Sequence, residues 1–126
     1  MKFLLVLAAT TLAVAAAADS SPGALSAGER AFARCVACHA LEAAADTPAG
    51  PTLHGLGGRR IAGRRGFDYS PAMRRFASRH GRWTPELLER FLEDPEAVVP
   101  GTEMSFEGIS DSAERRALIN WLRRRR

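Results

Sequence analysis

Two cysteines and a histidine lie close together in the segment 35–39, and their C-x-x-C-H spacing restricts the fold more than any other feature. This is the pattern through which c-type haem is attached to a protein. Thiols three residues apart on a helical turn can both add to the vinyl groups of one haem, and the next residue can bind its iron. We therefore predict one haem c, attached through Cys35 and Cys38 with His39 as an iron ligand.

Three other uses of two cysteines compete with this interpretation. A thioredoxin-like Cys-x-x-Cys follows a strand in a βαβ unit, and the sequence shows no strand pattern. A zinc site needs a further soft ligand such as another cysteine, and the chain has only two cysteines. A plain disulfide suits an exported protein, but it leaves the long loops of this chain without anything to organise them.

Short helix signals separated by long loops make up most of the chain. Helices are predicted to begin after Ser26, Ser70, Thr84 and Asp111, since each of these capping residues precedes residues with helical spacing. The segment 52–66 contains five glycines and is predicted to be irregular. Three to five short helices cannot fill the core alone, so we predict an all-α fold with long loops wrapped around one large buried cofactor.

For two of these helices the sequence also predicts an apolar face or an end point, and for one further segment it predicts a loop. The first is expected to carry its apolar face as far as Cys35. The third has a stripe over 87–92 and is expected to end at the Asp94-Pro95 pair. The segment 98–109 is predicted to be a loop, because it contains a Pro-Gly pair and a second glycine.

The first 18 residues resemble a secretory signal peptide. A basic start precedes an apolar stretch, and three alanines lead to a polar segment at Asp19. A retained membrane anchor is the alternative, but the apolar stretch falls short of the roughly 20 residues that a spanning helix needs. We predict cleavage after Ala18, a flexible leader over 19–24, a periplasmic mature protein and no stable membrane insertion.

The formal charge of +4 overstates how basic the folded part is. With Lys2 and the terminal run 123–126 set aside, 13 arginines and 14 acids leave a charge of −1. These arginines are scattered among acids, unlike the basic, aromatic-bearing face of a nucleic-acid-binding domain. We therefore expect no nucleic-acid partner, and we expect the basic tail 123–126 to lie in solvent.

Four residues are candidates for the second axial ligand: Met73, Met104, His54 and His80. Met104 follows a Pro-Gly turn that can aim its thioether at a fixed point. Met73 lies in a predicted short helix, where filling the core is the ordinary role of a methionine. A thioether ligand favours ferrous iron and raises the reduction potential.

Taken in order, these motifs resemble the class I cytochromes c, small soluble proteins similar to mitochondrial cytochrome c and bacterial cytochromes c2. The resemblance covers 25–122, and its motifs are 28–32, 35–39, 50–59, 66–70, Trp83, 92–95 and 100–104. It implies the fold of that family around one haem. It also implies that Gly28 and Phe32 of the first helix pack against Leu118 and Trp121 of the last.

The resemblance further implies roles for individual residues around the haem. His39 and Met104 are implied to be the axial ligands, and the Pro51 carbonyl to accept a hydrogen bond from the other ring nitrogen of His39. The remaining implied contacts are with the haem propionates, from Arg59, Tyr69, Trp83 and Thr102.

A function follows from the resemblance as an expectation. The chain is expected to be a monomeric periplasmic carrier of single electrons, without enzymatic activity. Its donor would be a quinol-oxidising complex or a dehydrogenase, and its acceptor a terminal oxidase or another haem protein. Two alternatives stay open: a haem c subunit permanently docked on a dehydrogenase or oxidase, and a peroxidase-type enzyme, which would need Met104 unbound.

Overall fold

The computed structural model describes residues 25–126, and the predicted signal peptide and leader lie outside them. Five helices follow one another along the chain: α1 (Ala27–Phe32), α2 (Pro71–His80), α3 (Pro85–Glu93), α4 (Pro95–Val98) and α5 (Ser112–Arg123). Over this range the only β pairing consists of two isolated bridges, Thr47 with Gly50 and Arg60 with Arg82. The predicted all-α class with a glycine-rich irregular segment is therefore confirmed.

Four helices begin where the sequence predicts them, each with a side chain that caps a free backbone N–H. The side-chain oxygens of Ser26, Ser70 and Thr84 accept from N–H groups three residues ahead, at 3.1–3.2 Å. Asp111 caps α5 in the same way, with a bond of 2.7 Å from the N–H of Ala113. Each bond satisfies a donor that the first helical turn would otherwise leave unpaired.

One helix limit and one additional helix differ from the prediction. α1 ends at Phe32, and the segment 33–38 continues as turns, so the helix stops short of Cys35. Asp94 follows the last residue of α3, as expected, but it also caps the extra helix α4 by accepting from the N–H of Ala97 at 3.0 Å. The Asp-Pro pair therefore ends one helix and starts another, because proline is well tolerated in a first turn.

α1 crosses α5 at a very short distance, as the resemblance implies. A Cβ on Gly28 would lie 2.5 Å from the carbonyl oxygen of Ala117 and closer still to the side chain of Trp121. The rings of Phe32 and Trp121 have centroids 5.2 Å apart, and Leu118 beneath them is fully buried. Glycine is required at this crossing because any side chain there would push the two helices apart.

Arg115 is a buried cation in the middle of the helical core, with only 5% of its surface exposed. Its Nε donates to Glu89 of α3 at 2.9 Å, and its NH1 group donates to the carbonyls of Ile109 and Ser110 at 2.6 and 2.9 Å. Arg115 thereby joins α3, α5 and the end of the loop that precedes α5. Each of its main donors has a partner, as a buried charge requires.

The C-terminal arginines are exposed, but they do not simply extend into solvent. Arg123 is the last residue of α5 and lies against Gly57. The carbonyl of Arg125 accepts from the N–H of Gly55 at 2.8 Å, and its guanidinium carbon lies over Trp121. The expectation of a tail free in solvent is therefore wrong at these two arginines, because the aromatic ring and the loop N–H offer them partners.

No helix among residues 25–126 has the length and apolar character needed to cross a membrane.

Candidate functional site

One cavity of about 240 Å³ brings together all nine residues predicted to bind the haem or its iron. They come from five separate stretches of the chain: Cys35, Cys38, His39, Pro51, Arg59, Tyr69, Trp83, Thr102 and Met104. Apolar side chains from α3, including Leu88, Phe91 and Leu92, complete the wall. A mainly apolar cavity with a few polar groups is the ordinary form of a cofactor site.

The imidazole of His39 is held in one orientation from two sides. Its Nδ1 lies 2.7 Å from the carbonyl oxygen of Pro51, so Nδ1 carries the proton and donates. In the neutral imidazole this tautomer leaves the lone pair of Nε2 free for a metal ion. Gly50 closes the other side, since a Cβ there would lie 2.5 Å from Cε1 of the ring. The role of Gly50 has no signal in the sequence beyond its position before Pro51.

A tight turn places the two thiols beside this histidine. The carbonyl of Cys35 accepts from the N–H groups of Cys38 and His39, at 3.1 and 2.9 Å. Cys35 is half-buried, and its burial raises the pKa of the thiol to about 11, whereas Cys38 and its neighbour Val36 are exposed. The cavity is therefore closed around Cys35 and open to the surface around Cys38.

Arg59 is a partly buried cation whose hydrogen bonds are incomplete. Its NH1 group donates to the carbonyls of Thr52 and His54, at 2.9 and 3.2 Å. Its Nε is buried and has no partner among residues 25–126, and burial lowers the pKa of the guanidinium. A buried donor on a cation calls for an anionic acceptor in the cavity. The carboxylate of a haem propionate is such a group, so this site fits haem.

Two of the four candidates for the second axial ligand line the cavity, and both are thioethers. These are Met104 and Met73, while His54 and His80 do not line it. The ring of His80 instead stacks on Phe76, with centroids 4.2 Å apart. The structure therefore brings sulfur ligands, and no second histidine, to the cavity wall.

Local hydrogen bonds shape the loop that carries Met104. The Met104 N–H donates to Oγ1 of Thr102 at 3.3 Å, and the N–H of Gly101 donates to Glu96 at 2.9 Å. The φ angle of Gly101 is +80°, a conformation that favours glycine. Glu96 of α4 is a positioning residue that sequence reasoning missed, because α4 itself was not predicted.

Asp46 is a second positioning residue that the sequence analysis did not identify. Its carboxylate accepts from the backbone N–H of Thr52 at 2.9 Å and from Nε of Arg64 at 2.9 and 3.0 Å. The hydrogen bond from Thr52, followed by that from Arg64, holds the pKa of Asp46 below its usual value. These bonds tie the segment carrying Pro51 to the segment carrying Tyr69, since the N–H of Arg64 also donates to the Tyr69 hydroxyl at 3.1 Å.

Comparison with known proteins gives a consistent picture. No family model matches the chain. Cytochrome c2 of Agrobacterium tumefaciens (strain II Chrys) is 41% identical over 95 residues, which cover 75% of this chain and 86% of the relative. Cytochrome c2 of Blastochloris viridis is 35% identical over 121 residues, covering 96% of this chain and 89% of the relative. The chain belongs to the class I cytochromes c.

A solved structure supports the same assignment of this cytochrome. Cytochrome cH from Methylobacterium extorquens superposes with a TM-score of 0.70 at 38% identity, covering 78% of this chain and 95% of that chain. Proteins of this family are electron carriers rather than enzymes, and they bind haem c covalently. The predicted haem c cofactor is therefore confirmed, and the pair Cys35 and Cys38 is consistent with its covalent attachment. Bound haem c supplies a one-electron change between ferrous and ferric iron.

Proposed function

We propose that this cytochrome c is an exported, freely diffusing carrier that takes single electrons from a quinol-oxidising complex or a dehydrogenase. It delivers them to a terminal oxidase or another haem acceptor. The observation that carries the proposal is that both predicted iron ligands line one cavity. His39 is oriented by Pro51, and Met104 lies on a loop shaped by Thr102. A site with both axial positions filled suits electron transfer rather than substrate binding.

Support for export comes from the start of the chain. The segment 1–18 has the basic, apolar and small-residue regions of a signal peptide. The match to a bacterial cytochrome c2 spans 96% of the chain, so it reaches into this segment. Covalent attachment of haem to both cysteines is also compatible with an oxidising compartment, because it removes the free thiols.

Electron exchange is expected at the edge of the cavity next to Cys38. Val36 has 61% of its surface exposed, and Cys38 is exposed beside it. Other parts of the cavity wall are formed by buried residues such as Trp83 and Leu88. A partner that covers the motif 35–38 therefore approaches the haem by the shortest path through protein.

Neither alternative function has a matching feature among residues 25–126. A peroxidase needs a distal acid–base residue such as histidine, and His39 is the only histidine that lines the cavity. The one carboxylate in the lining, Glu103, is exposed to solvent. A permanently docked subunit needs a broad apolar face. Leu25 and Val36 are the only large apolar residues that are exposed in this range. These observations favour a monomeric carrier.

Spectroscopy of the haem-loaded protein tests the ligand assignment. The ferric form should show the weak near-infrared sulfur–iron band, and Met104→Ala should abolish it. Met73→Ala is the matched control, because Met73 lines the same cavity and its loss should leave the band in place. A band that follows Met73 instead, or a bis-histidine spectrum, would contradict the proposal.

Export and electron carriage need separate tests. N-terminal sequencing of the protein recovered from periplasm should begin at or near Asp19. The mature protein should accept electrons from a quinol-oxidising membrane fraction and reduce an oxidase in stopped-flow mixing. A protein that keeps residues 1–18, or one that is isolated only in complex with a dehydrogenase, would overturn the free-carrier proposal.

A further inference from the structure

The haem cavity opens to solvent along a short rim. Among the described residues that line the cavity, a few are also exposed, and these are here called the cavity rim. Two members of the rim carry a charge, and the others are small and uncharged. The rim consists of Arg34, Cys38, Ala49, Glu103 and Ser105.

The positive charge of Arg34 is compensated within the protein. Its Nε lies 3.2 Å from Oε1 of Glu114, and its NH2 group donates to Oε2 of the same carboxylate at 3.4 Å. Glu114 belongs to the first turn of α5, so the ion pair joins the turn before Cys35 to that helix. Because the two charges oppose each other, the pair contributes little net field at the opening.

The negative charge of Glu103 has no such partner. No cationic side chain among residues 25–126 forms an ion pair with it, and Glu103 is exposed directly before Met104. Its loop is shaped by the hydrogen bonds from Gly101 to Glu96 and from Met104 to Thr102. The rim therefore carries one uncompensated charge, and that charge is negative.

Neighbouring residues add to this negative charge. The residues considered lie within four positions of the rim along the chain, or bond to the loop that carries Glu103. Three exposed acids and one exposed arginine there form no ion pair in the part of the chain that the structure describes. The field at the opening is therefore negative. The acids are Glu42, Glu96 and Glu107, and the arginine is Arg30.

The C-terminal arginines do not reverse this field at the opening. None of the residues 123–126 lines the cavity. Arg123 lies against Gly57, and the carbonyl of Arg125 accepts from the N–H of Gly55. The charges that make the formal total of the chain positive therefore lie outside the rim. The total charge does not predict which partner the opening attracts, because local fields decide this.

Small uncharged residues occupy the surface between these charges. Val36 has 61% of its surface exposed, and Ala37 and Ala49 are exposed as well. A largely apolar centre with charged residues at its edge is the usual composition of a surface that binds another protein. The opening beside Cys38 therefore has both the composition and the uncompensated charge of a docking surface.

We propose that the redox partner of this cytochrome docks on the cavity rim with a surface of lysine and arginine side chains, and that Glu103 determines this specificity. The proposal rests on the proposed function, because it requires that electrons pass to or from another protein at this opening. A basic surface complements Glu103 and its neighbouring acids, whereas an acidic surface would meet uncompensated negative charge. Complementary charges mainly speed and orient the encounter, so the effect is expected in the rate of electron transfer.

Two inorganic oxidants of opposite charge test the sign of the field at the rim without a protein partner. Tris(phenanthroline)cobalt(III) is a trivalent cation, and hexacyanoferrate(III) is a trivalent anion. Stopped-flow mixing measures how fast each oxidises the ferrous, haem-loaded mature protein at low and at physiological salt. Oxidation by the cobalt complex should slow as the salt concentration rises, and oxidation by hexacyanoferrate should become faster. Salt screens an attraction in the first case and a repulsion in the second.

The variant Glu103→Gln assigns the field to the rim. At low salt it should slow the cobalt reaction about fivefold and speed the hexacyanoferrate reaction by a similar factor. Glu86→Gln is the matched control, because it removes the same charge from an exposed position outside the cavity and should change both rates much less. Glu103→Asp keeps the charge and should keep both rates. A changed reduction potential would shift both rates in one direction, so opposite shifts identify a local charge.

A basic peptide tests docking itself. At low salt, decalysine should occupy the rim and slow oxidation by the cobalt complex, whereas decaglutamate should not. The inhibition by decalysine should be weaker in Glu103→Gln than in Glu86→Gln, and physiological salt should relieve it. Equal inhibition of the two variants would place the peptide elsewhere on the protein and would overturn the proposal.

Two further results would overturn it. A hexacyanoferrate reaction that slows with salt and does not respond to Glu103→Gln would show a cationic rim. Equal effects of Glu103→Gln and Glu86→Gln would show that only net charge acts. Should Glu103→Gln fail to fold, the salt dependence of the two oxidants in the unchanged protein decides the sign. The carrier function fails separately, if the expected inorganic rates are found but no electrons pass to or from membrane fractions.

Discussion

The guanidinium carbon of Arg125 lies 4.1 Å from the centroid of the Trp121 ring, at the far end of α5 from its cap. The same tryptophan contacts Phe32 and fills the space left by Gly28. The carbonyl of Arg125 also bonds to Gly55 in the loop that follows Pro51. The end of the chain is thus tied to the helix crossing and to the loop beside His39.

Truncation after Arg124 should lower the free energy of unfolding by about 1–2 kcal/mol. It removes one cation–π contact and two backbone hydrogen bonds of Arg125, one from the Gly55 N–H and one to the Leu122 carbonyl. Denaturant titration measures the loss. The variant Arg124→Gln with Arg126→Gln is the control and should change stability by less, because neither side chain packs on the body. An unchanged midpoint after truncation would mean that the contacts of Arg125 contribute nothing.

Replacing Gly28 by alanine should destabilise the protein by about 1–3 kcal/mol, even though alanine is the better helix former. The added Cβ overlaps Ala117 and Trp121, and overpacking of a rigid crossing costs about this much. Ala27→Leu adds more volume at the neighbouring exposed position and should cost little. Comparable losses in the two variants would place the effect in the helix itself rather than in the crossing.

Arg115→Met should cost about 3–5 kcal/mol, because it leaves Glu89 and two loop carbonyls without their donor. Arg116→Met, at the next and exposed position, is the control and should be nearly neutral. The melting temperatures of the two haem-loaded variants and of the unchanged protein measure these effects. A small effect at Arg115 would show that water replaces its bonds.

Arg59→Gln should lower the reduction potential of the haem. A cation near the haem disfavours the ferric form, so its removal stabilises that form by about 1–2 kcal/mol, on the order of 40–90 mV. Arg60→Gln removes the same charge at an exposed neighbouring position and should shift the potential much less. Redox titration of both variants measures the difference. Equal shifts would argue against a contact between Arg59 and a propionate.

Asp46→Asn should destabilise the protein at neutral pH but not in strong acid. The pKa of Asp46 is lowered in the folded state from a model-compound value of 3.8, so its charged form stabilises the fold above that pH. This contribution is lost as the pH falls through the lowered folded value. Melting temperatures of the two proteins should therefore differ at pH 7 and converge as the pH falls through the lowered pKa of Asp46. A constant difference would assign the effect to the shape of the side chain.

Some site residues and helix starts can be predicted from neighbouring residues in the sequence, and others cannot. Cys35, Cys38 and His39 identify the cofactor by themselves, and Ser70 and Thr84 identify helix starts through bonds to residues three positions ahead. The role of Pro51 was available only through the family resemblance, and the structure shows its carbonyl on His39. The sequence predicts only the end of α3 at Asp94. The helix that Asp94 caps, α4, has four residues and is too short to show a periodic apolar pattern.

The sequence by itself determined the haem attachment, the all-α class and four of the five helix starts. Each of these depends on residue types within about five positions of one another, so the pattern and its physical cause lie in one short segment. The tertiary structure alone decided which arginines are buried and which residues they contact. Arg115 meets Glu89 across 26 residues, and Arg125 meets Gly55 across most of the domain. The neighbouring residues in the sequence do not distinguish these settings of an arginine. Only the packing of the chain determines which group each guanidinium contacts.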